Sequence, residues 1–290
     1  IINEGLKALK FEPKSKQILE VLLFSHAKLK DISNSLVYLN KLKKLNFMED
    51  NLYKDISADL NYLKALNYLE DDKIYLATNH LKEAFKQKPS HIGASVKLSG
   101  LLKGIGSKTK SIDQLEKTFL LTANPDILEE LSKKWNLKTS GSRVSKAINL
   151  LNKKSSQEIK NDLKIEVACY AISEEIWGEA EKLLKDIPED KLTNKAYQAL
   201  AEIAGSQNNS ELVKINLEKA ASAIEGCDYF CYSCGYKNQS WELHCPKCGQ
   251  LSTIDWINPS SIENSEILKL TSLSIPSDSK SNRLLNKISN

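Results

Sequence analysis

The sequence predicts an all-α array of helical hairpins, followed by a small β-rich ribbon around a metal ion and a mostly disordered tail. Apolar residues recur every three or four positions through residues 1–225, which is typical of amphipathic helices. Two Cys-x2-Cys pairs lie within residues 226–257. Residues 258–290 are rich in Ser and Asn, a composition that favours disorder. These three segments are the predicted domains.

The composition argues against nucleic acid as the partner. The 290 residues carry 41 Lys and Arg against 37 Asp and Glu, and a net charge of +4 gives little attraction to polyanions. Only Arg143 and Arg283 are arginines, whereas bidentate phosphate and base contacts use arginine.

Twelve helices are predicted, separated by short breaks that contain Asp, Asn, Gly or Pro. Their approximate ranges are 14–29, 31–44, 50–69, 71–87, 90–104, 109–122, 125–136, 142–153, 157–173, 175–185, 191–206 and 209–224. Because the connections are short, we expect successive helices to pair as hairpins that stack in a row.

A repeat of about 34 residues supports this arrangement. The unit that ends at Pro89 has residues of the size that a tetratricopeptide repeat requires: Ala65, Tyr68, Ala77, Leu81 and Ala84. Asn61 and Lys64 stand where that repeat has Trp and Leu. Small residues let the helices approach closely, and large residues fill the remaining space. The sequence therefore predicts a tetratricopeptide-like α-solenoid, with a generic helical bundle as the alternative.

Later units match less completely. The matching positions are Val167, Ala168, Ala180 and Leu184, and then Leu200, Ala201, Val213, Leu217 and Ala220. Trp177 is predicted to begin the second helix of a pair. Residues 123–156 fit worst, and we expect an irregular pair there.

The two cysteine pairs predict a metal site with four sulfur ligands: Cys231, Cys234, Cys245 and Cys248. Two residues between cysteines let one tight turn direct both sulfurs at a single ion. Gly235 and Gly249, which follow the pairs, tolerate the positive φ that completes such a turn. A ten-residue spacer is enough for a compact hairpin between the two turns.

Zinc in a structural role is favoured, and iron stays open. The second pair resembles the corresponding turn of rubredoxins, which hold iron, but rubredoxins have a much longer stretch between their turns. Cys227 and His244 are spare potential ligands that a complete four-sulfur site does not need.

Four aromatic residues are expected to form the small core of the ribbon: Tyr229, Phe230, Trp241 and Trp256. The ribbon is not basic, since Lys237 and Lys247 are outnumbered by its acidic residues. This balance is a second argument against nucleic-acid binding.

No catalytic pattern is recognised. The four histidines, at 26, 80, 91 and 244, are separated along the chain and outside any Ser/His/Asp or Cys/His pattern. Cys169 lies among small apolar residues of a predicted helix, where it is expected to pack as a small hydrophobe. The glycines of Gly104–Lys110 lack the spacing of a phosphate loop. We therefore expect a protein that is not an enzyme.

The ribbon resembles that of LapB (YciM) and of HemY-like bacterial proteins. The shared segments are CYSCG, CPKCG and STIDW, with Trp241 in the ten-residue spacer. The resemblance also extends, diffusely, over the helical region. It implies that the four cysteines of the two pairs are metal ligands. Where that family has a proline-containing motif before the ribbon, this chain has Gly226 and Cys227.

The resemblance further implies a scaffold at the cytoplasmic face of the bacterial inner membrane, anchored by an N-terminal segment. The chain begins Ile-Ile, without such a segment, so a truncated sequence is expected. HemY-like proteins are associated with haem biosynthesis. LapB proteins are adaptors that bring a lipopolysaccharide-synthesis enzyme to a membrane protease. The residues do not decide between these roles.

The leading hypothesis is a scaffold whose helical array binds a partner protein, with the ribbon packed on the last hairpin. A redox protein with rubredoxin-like iron is the second hypothesis. In the tail, the stretch 265–270 (SEILKL) is the one segment expected to dock elsewhere on the molecule.

Overall fold

The computed structural model describes residues 1–104, 106–153 and 159–259. Within them lie thirteen α-helices, one 3-10 turn at Glu189–Lys191 and three short strands. The helices are α1 (Ile2–Phe11), α2 (Lys16–Lys28), α3 (Ile32–Lys44), α4 (Asp50–Glu70), α5 (Ile74–Gln87), α6 (Ile92–Gly104), α7 (Lys108–Thr122), α8 (Pro125–Trp135), α9 (Ser140–Leu151), α10 (Lys160–Ser173), α11 (Trp177–Lys185), α12 (Asn194–Ser206) and α13 (Ser210–Ser222). The strands are β1 (Asp228–Cys231), β2 (Lys237–Asn238) and β3 (Ile254–Ile257).

All twelve predicted helices are present, within a few residues of their expected ends. The prediction missed α1, which buries no side chain completely. Its Ile2 and Leu9 pack at the edge of the first core cluster. A Cβ at Gly5 would lie 2.9 Å from Leu22 Cδ2, so the missing side chain lets α1 approach α2 closely.

Successive helices pack as hairpins, and each hairpin contacts the next. The pairs are α2 with α3, α4 with α5, α6 with α7, α10 with α11, and α12 with α13. The predicted irregular pair is confirmed, because α8 packs mainly on α7 and α9 mainly on α10. The chain is therefore a tetratricopeptide-like solenoid, as predicted.

Small residues lie where the helices meet. Ala65, Ala77, Leu81 and Ala84 are completely buried, and Tyr68 packs against the same cluster. Instead of the tryptophan usual in this repeat, the chain buries a polar network. The side-chain amide of Asn61 donates to the carbonyl of Ser57 (2.8 Å), and its oxygen lies 2.8 Å from His80 Nδ1.

The later units also follow the repeat, except at the end of the array. Val167, Ala168, Ala180 and Leu184 are buried. The prediction that Trp177 begins the second helix of its pair is confirmed.

In the last unit, the expectation that Leu217 fills the core is wrong, because its side chain is 51% exposed. Among the described residues, α13 is the last helix of the array.

The ribbon is a three-stranded antiparallel sheet in the order β2-β1-β3. The register pairs Asp228 with Ile257 and Tyr229 with Asn238. The disordered tail was expected over residues 258–290, of which 260–290 lie outside the described part of the chain, as does the stretch 265–270 that was expected to dock. Across the described residues, every helix is too short or too polar to cross a bilayer.

Candidate metal centre and its docking surface

Two matching turns position the four cysteines of the ribbon. In the first turn the N–H of Gly235 donates to the carbonyl of Cys231 at 2.8 Å. In the second turn the N–H of Gly249 donates to the carbonyl of Cys245, also at 2.8 Å. The two glycines have φ values of +70° and +71°, which confirms the predicted need for glycine at both positions.

The four sulfur atoms form a compact group. Cys231 Sγ lies 3.7 Å from Cys248 Sγ, and Cys234 Sγ lies 3.7 Å from Cys245 Sγ. All four lie within 4.8 Å of one another. A tetrahedral ion with metal–sulfur bonds of about 2.3 Å separates its sulfurs by about 3.8 Å. The four side chains can therefore hold one metal ion.

The surroundings of the sulfurs also suit a cation. Burial raises the pKa of Cys234 to about 12 and also raises that of Cys248, so their thiolates need a positive partner. Burial acts in the same direction on Cys231. There, a hydrogen bond between Cys231 Sγ and the Thr253 hydroxyl (3.2 Å) and the backbone N–H of Ser233 outweigh burial and lower the pKa. A bound divalent cation would hold all four sulfurs as thiolates.

The spare residues lie apart from the sulfur group. Cys227 forms a side-chain hydrogen bond with Asp162 of α10, and burial raises its pKa. His244 directs Nδ1 at the carbonyl of Gly249, 3.4 Å away. Cys169 packs in the core between α10 and α12, and burial raises its pKa to about 12. Its predicted role as a packed hydrophobe agrees with this position.

The ribbon docks on helices that are distant in sequence. Leu251 is 4% exposed and belongs to the apolar cluster built by α2, α3 and α4, with Leu243 packed at its edge. These two side chains flank the second cysteine turn. The segment that presents two of the four sulfurs is therefore attached to the N-terminal half of the array.

An aromatic contact extends this interface toward α6. The ring of Trp241 lies edge-on to Tyr62 of α4, with 5.4 Å between centroids, and 5.2 Å from the ring of His91. Tyr62 and His91 are themselves 4.7 Å apart. Of the four aromatic residues expected in the ribbon core, Trp241 is thus assigned wrongly, because it packs on the array. Tyr229 and Trp256 do contact each other, and Phe230 is buried.

A buried ionic cluster completes the interface. Lys88, which caps the C-terminus of α5, places Nζ 2.6 Å from Asp255 of β3 and 3.7 Å from Asp55 of α4. The side chain of Lys88 is only 10% exposed. Burial alone would lower its pKa, but the carboxylates outweigh burial and raise it. Lys88 is therefore charged and links the ribbon to α4.

A second titratable pair lies beside this lysine. His91 Nε2 is 3.3 Å from Asp59 Oδ1, and both side chains are almost completely buried. His91 Nδ1 accepts the N–H of Ala94 at the start of α6, so the neutral ring carries its proton on Nε2, which lies near Asp59 Oδ1 without a hydrogen bond to it. Burial raises the pKa of Asp59 to about 7 and lowers that of His91 to about 3.

These contacts correct the expected position of the ribbon. It was predicted to pack on the last hairpin, but its buried side chains lie against α2–α6. On α13, Leu212, Ile215 and Leu217 stay exposed. The start of the ribbon does reach the last hairpin, where the N–H of Gly226 donates to Asn194 Oδ1 of α12 at 3.3 Å.

Sequence reasoning did not find the array's half of this interface. The residues missed are Asp55, Asp59, Tyr62 and Lys88, and His91 was noticed without being given a role. A lysine directly before Pro89 and an aspartate within an apolar helix were the available signals. Neither signal identifies a partner more than 150 residues away in the sequence.

The other histidines have structural partners too. His26 Nδ1 lies 2.9 Å from Asp31 Oδ2, next to the N-terminus of α3. His80 contacts Asn61 and stacks on Tyr68 at 5.4 Å. Each of these rings completes local packing or a local hydrogen bond.

No family model and no curated protein matches the chain. Among solved structures, it is similar to PilF from Pseudomonas aeruginosa (12% identity over 70% of this chain and 90% of that chain, TM-score 0.32). It is also similar to MamA (13%, 71% and 95%, TM-score 0.24) and to the TPR domain of P58(IPK) (16%, 74% and 67%, TM-score 0.26). Similarity at this level says nothing about function.

Proposed function

We propose that the chain is a non-enzymatic scaffold that binds a partner protein through its helical array, with a metal-held ribbon as a fixed part of that array. The observation that carries this proposal is the docking of the ribbon. Near the two metal turns, the ribbon places Leu251, Trp241 and Asp255 against α2–α6 rather than around an open cleft. Four sulfurs also complete the coordination of a tetrahedral ion, which is the pattern of structural sites.

The metal we propose is zinc, held by the four cysteines of the two turns. Zinc supplies fixed coordination without redox chemistry. In a module this small, such coordination provides stability that the apolar core cannot supply alone. The chain's own contribution is the two glycine turns and the hydrogen bonds that lower the pKa of Cys231.

The finer assignment rests on the resemblance to HemY-like proteins. We propose a scaffold at the cytoplasmic face of the bacterial inner membrane, associated with enzymes of haem biosynthesis. A LapB-like adaptor that regulates lipopolysaccharide synthesis is the alternative, since both groups share the ribbon segments of this chain. Nucleic acid is not a proposed partner, because only two residues of the whole sequence are arginines.

Affinity purification from the native host tests this proposal. The full-length protein is compared with the same protein carrying Lys88→Met, which is expected to weaken ribbon docking. We expect a haem-pathway enzyme to co-purify with the unchanged chain and to be reduced at least several-fold with the variant. A lipopolysaccharide enzyme or a membrane protease would support the alternative. Absence of any of these proteins would contradict the scaffold proposal.

A rubredoxin-like redox protein is the second candidate. The spacing of the four sulfurs suits iron as well as zinc, and Cys248 is exposed at the surface. Metal analysis of protein purified from the native host distinguishes the two. Stoichiometric iron with a visible absorption band supports electron transfer, whereas stoichiometric zinc excludes it.

A further inference from the structure

A threonine that follows the second cysteine turn reaches a sulfur of the first turn. Thr253 Oγ1 lies 3.2 Å from Cys231 Sγ. Thr253 is only 3% exposed, and Cys231 is completely buried. In the part of the chain that the structure describes, Thr253 is the one hydroxyl side chain hydrogen-bonded to a sulfur of the group. The two cysteine turns are therefore not equivalent.

Backbone hydrogen bonds hold Thr253 in this position from two sides. The N–H of Ser252 donates to the carbonyl of Leu243, just before the second turn, at 2.8 Å. Tyr232, inside the first turn, donates its N–H to the carbonyl of Thr253 (2.9 Å) and its hydroxyl to the carbonyl of Ser252 (2.5 Å). Ser252 has a φ of +55°, which costs free energy in a residue with a Cβ. The three hydrogen bonds keep this conformation, from which the Thr253 hydroxyl faces Cys231.

The proton of this hydroxyl has two acceptors within reach. Besides Cys231 Sγ, the carbonyl oxygen of Gln250 lies 3.4 Å from Thr253 Oγ1. That distance is long for an O–H···O hydrogen bond, which is about 2.7–2.8 Å, and the same carbonyl already accepts the N–H of Cys245 at 2.9 Å. Sulfur is a larger atom, so a distance of 3.2 Å is short for it. Because a metal-bound thiolate has no proton of its own, the hydroxyl is the donor in that state.

Such a donor stabilises the metal-bound form of the cysteine more than its free form. A hydrogen bond to an ionised group is about twice as strong as one between neutral groups. Since both side chains are buried, water cannot readily replace the donor. Hydrogen-bond partners of metal ligands contribute about 10–100-fold to the affinity for the metal.

We propose that Thr253 is a positioning residue of the metal centre, whose hydroxyl donates to the Cys231 thiolate and raises the affinity of the four-cysteine site for zinc. The inference rests on the proposed metal centre and extends it to a residue outside the ligand set. Thr253 lies between Leu251 and Asp255, which both contact the helical array. The donor is therefore part of the segment by which the ribbon docks.

Four side chains at position 253 separate the hydroxyl from packing. The natural threonine and Thr253→Ser have the hydroxyl, whereas Thr253→Val and Thr253→Ala lack it. Valine has the shape of threonine, and alanine differs from serine only by the hydroxyl. Competition with a chromophoric chelator at one fixed pH measures the affinity of the full chain for zinc. We expect each variant without the hydroxyl to bind zinc about tenfold or more weakly than its matched partner.

Cobalt(II) in place of zinc gives a second readout, which a role in packing alone would not move. Loss of the donor raises the energy of the sulfur lone pairs. The sulfur-to-cobalt charge-transfer band should therefore move to longer wavelength in Thr253→Val and Thr253→Ala only. Circular dichroism of the helical array checks that each protein is folded. If Thr253→Val does not fold, the comparison of Thr253→Ser with Thr253→Ala decides.

Two results would overturn the inference while the metal centre stands. In the first, affinities and bands follow the size of the side chain, so that the valine variant resembles the unchanged chain and the alanine variant resembles the serine variant. In the second, all four proteins behave alike. If the unchanged chain binds neither zinc nor cobalt, the proposed metal centre is wrong, and the inference about Thr253 is wrong with it.

Discussion

Asp59 and His91 lie buried next to each other between α4 and α6. Burial shifts their pKa values so that their contributions to the free energy of unfolding change with pH in opposite directions. The pKa of Asp59 rises to about 7, so folding favours its protonated form. The pKa of His91 falls to about 3, so folding favours its neutral form. Asp59 therefore contributes stability that is lost as the pH rises from about 4 to 7. His91 contributes stability that is lost as the pH falls below about 6.5.

These two slopes oppose each other between about pH 4 and pH 6.5, and single variants separate them. We expect Asp59→Asn to give a free energy of unfolding that rises with pH relative to the unchanged chain. His91→Gln should give one that falls relative to it. Each difference approaches about 1.4 kcal/mol per pH unit, the value for one proton. Urea unfolding at pH 5.0, 5.5, 6.0 and 6.5 measures both, and curves parallel to the unchanged chain would contradict the assignment.

Gly93 keeps the aromatic contact of the ribbon in place. A Cβ at this position would lie 2.8 Å from Tyr62 Cζ, and the Tyr62 ring is held between His91 and Trp241. We expect Gly93→Ala to lower the free energy of unfolding by about 1 kcal/mol, because the ring must move.

Gly100 is the matched control on the same helix. Its Cβ would have no neighbour within 4 Å. Gly100→Ala should therefore raise the free energy of unfolding by about 0.5–1 kcal/mol through helix propensity alone. Thermal unfolding measures the stability of both variants. Equal effects would show that the Tyr62 ring moves aside without a cost in free energy.

At the scale of elements, the buried lysine that links α5 to the ribbon is the most sensitive point. Lys88 neutralises Asp255 and Asp55, and its removal leaves two half-buried carboxylates without this partner. We expect Lys88→Met to destabilise the protein by about 1.5–3 kcal/mol, or to release the ribbon.

Lys86 provides the control for this substitution. It lies two residues earlier, in the last turn of α5, with its side chain 76% exposed and its Nζ 3.8 Å from Glu83 Oε2. Lys86→Met should change the free energy of unfolding by less than about 0.5 kcal/mol. A similarly small effect at Lys88 would show that the ionic cluster does not hold the ribbon.

The elements themselves were predictable, and the reason is local. Helices are predicted by apolar periodicity. The two metal turns are predicted by the spacing of the cysteines and by the glycine that follows each pair, Gly235 and Gly249. Helix α1 was missed although its apolar residues recur at helical spacing. The surface by which the ribbon docks on the array was not predicted, because Trp241 and Leu251 resemble the core residues of any small module. Their partners lie on α2–α6, and nothing local to the ribbon indicates them.

At the scale of the whole molecule, the ribbon gives the solenoid a long-range contact. In most solenoids each repeat touches only its neighbours, so stability is a sum of local terms. Here a segment that follows α13 packs on α2–α6, and the metal site becomes part of the stability of the N-terminal half. The arrangement predicts that loss of the metal destabilises helices that are far from the ribbon in sequence.

Hydrogen exchange in the full chain tests this claim most directly. The double variant Cys231→Ser, Cys234→Ser removes two ligands, and Cys169→Ser serves as the control because Cys169 lies outside the sulfur group. We predict at least tenfold faster amide exchange in α4 and α6 of the double variant, with α12 unchanged and the control like the unchanged chain. Exchange in α4 and α6 that does not respond to loss of the metal ligands would contradict the account.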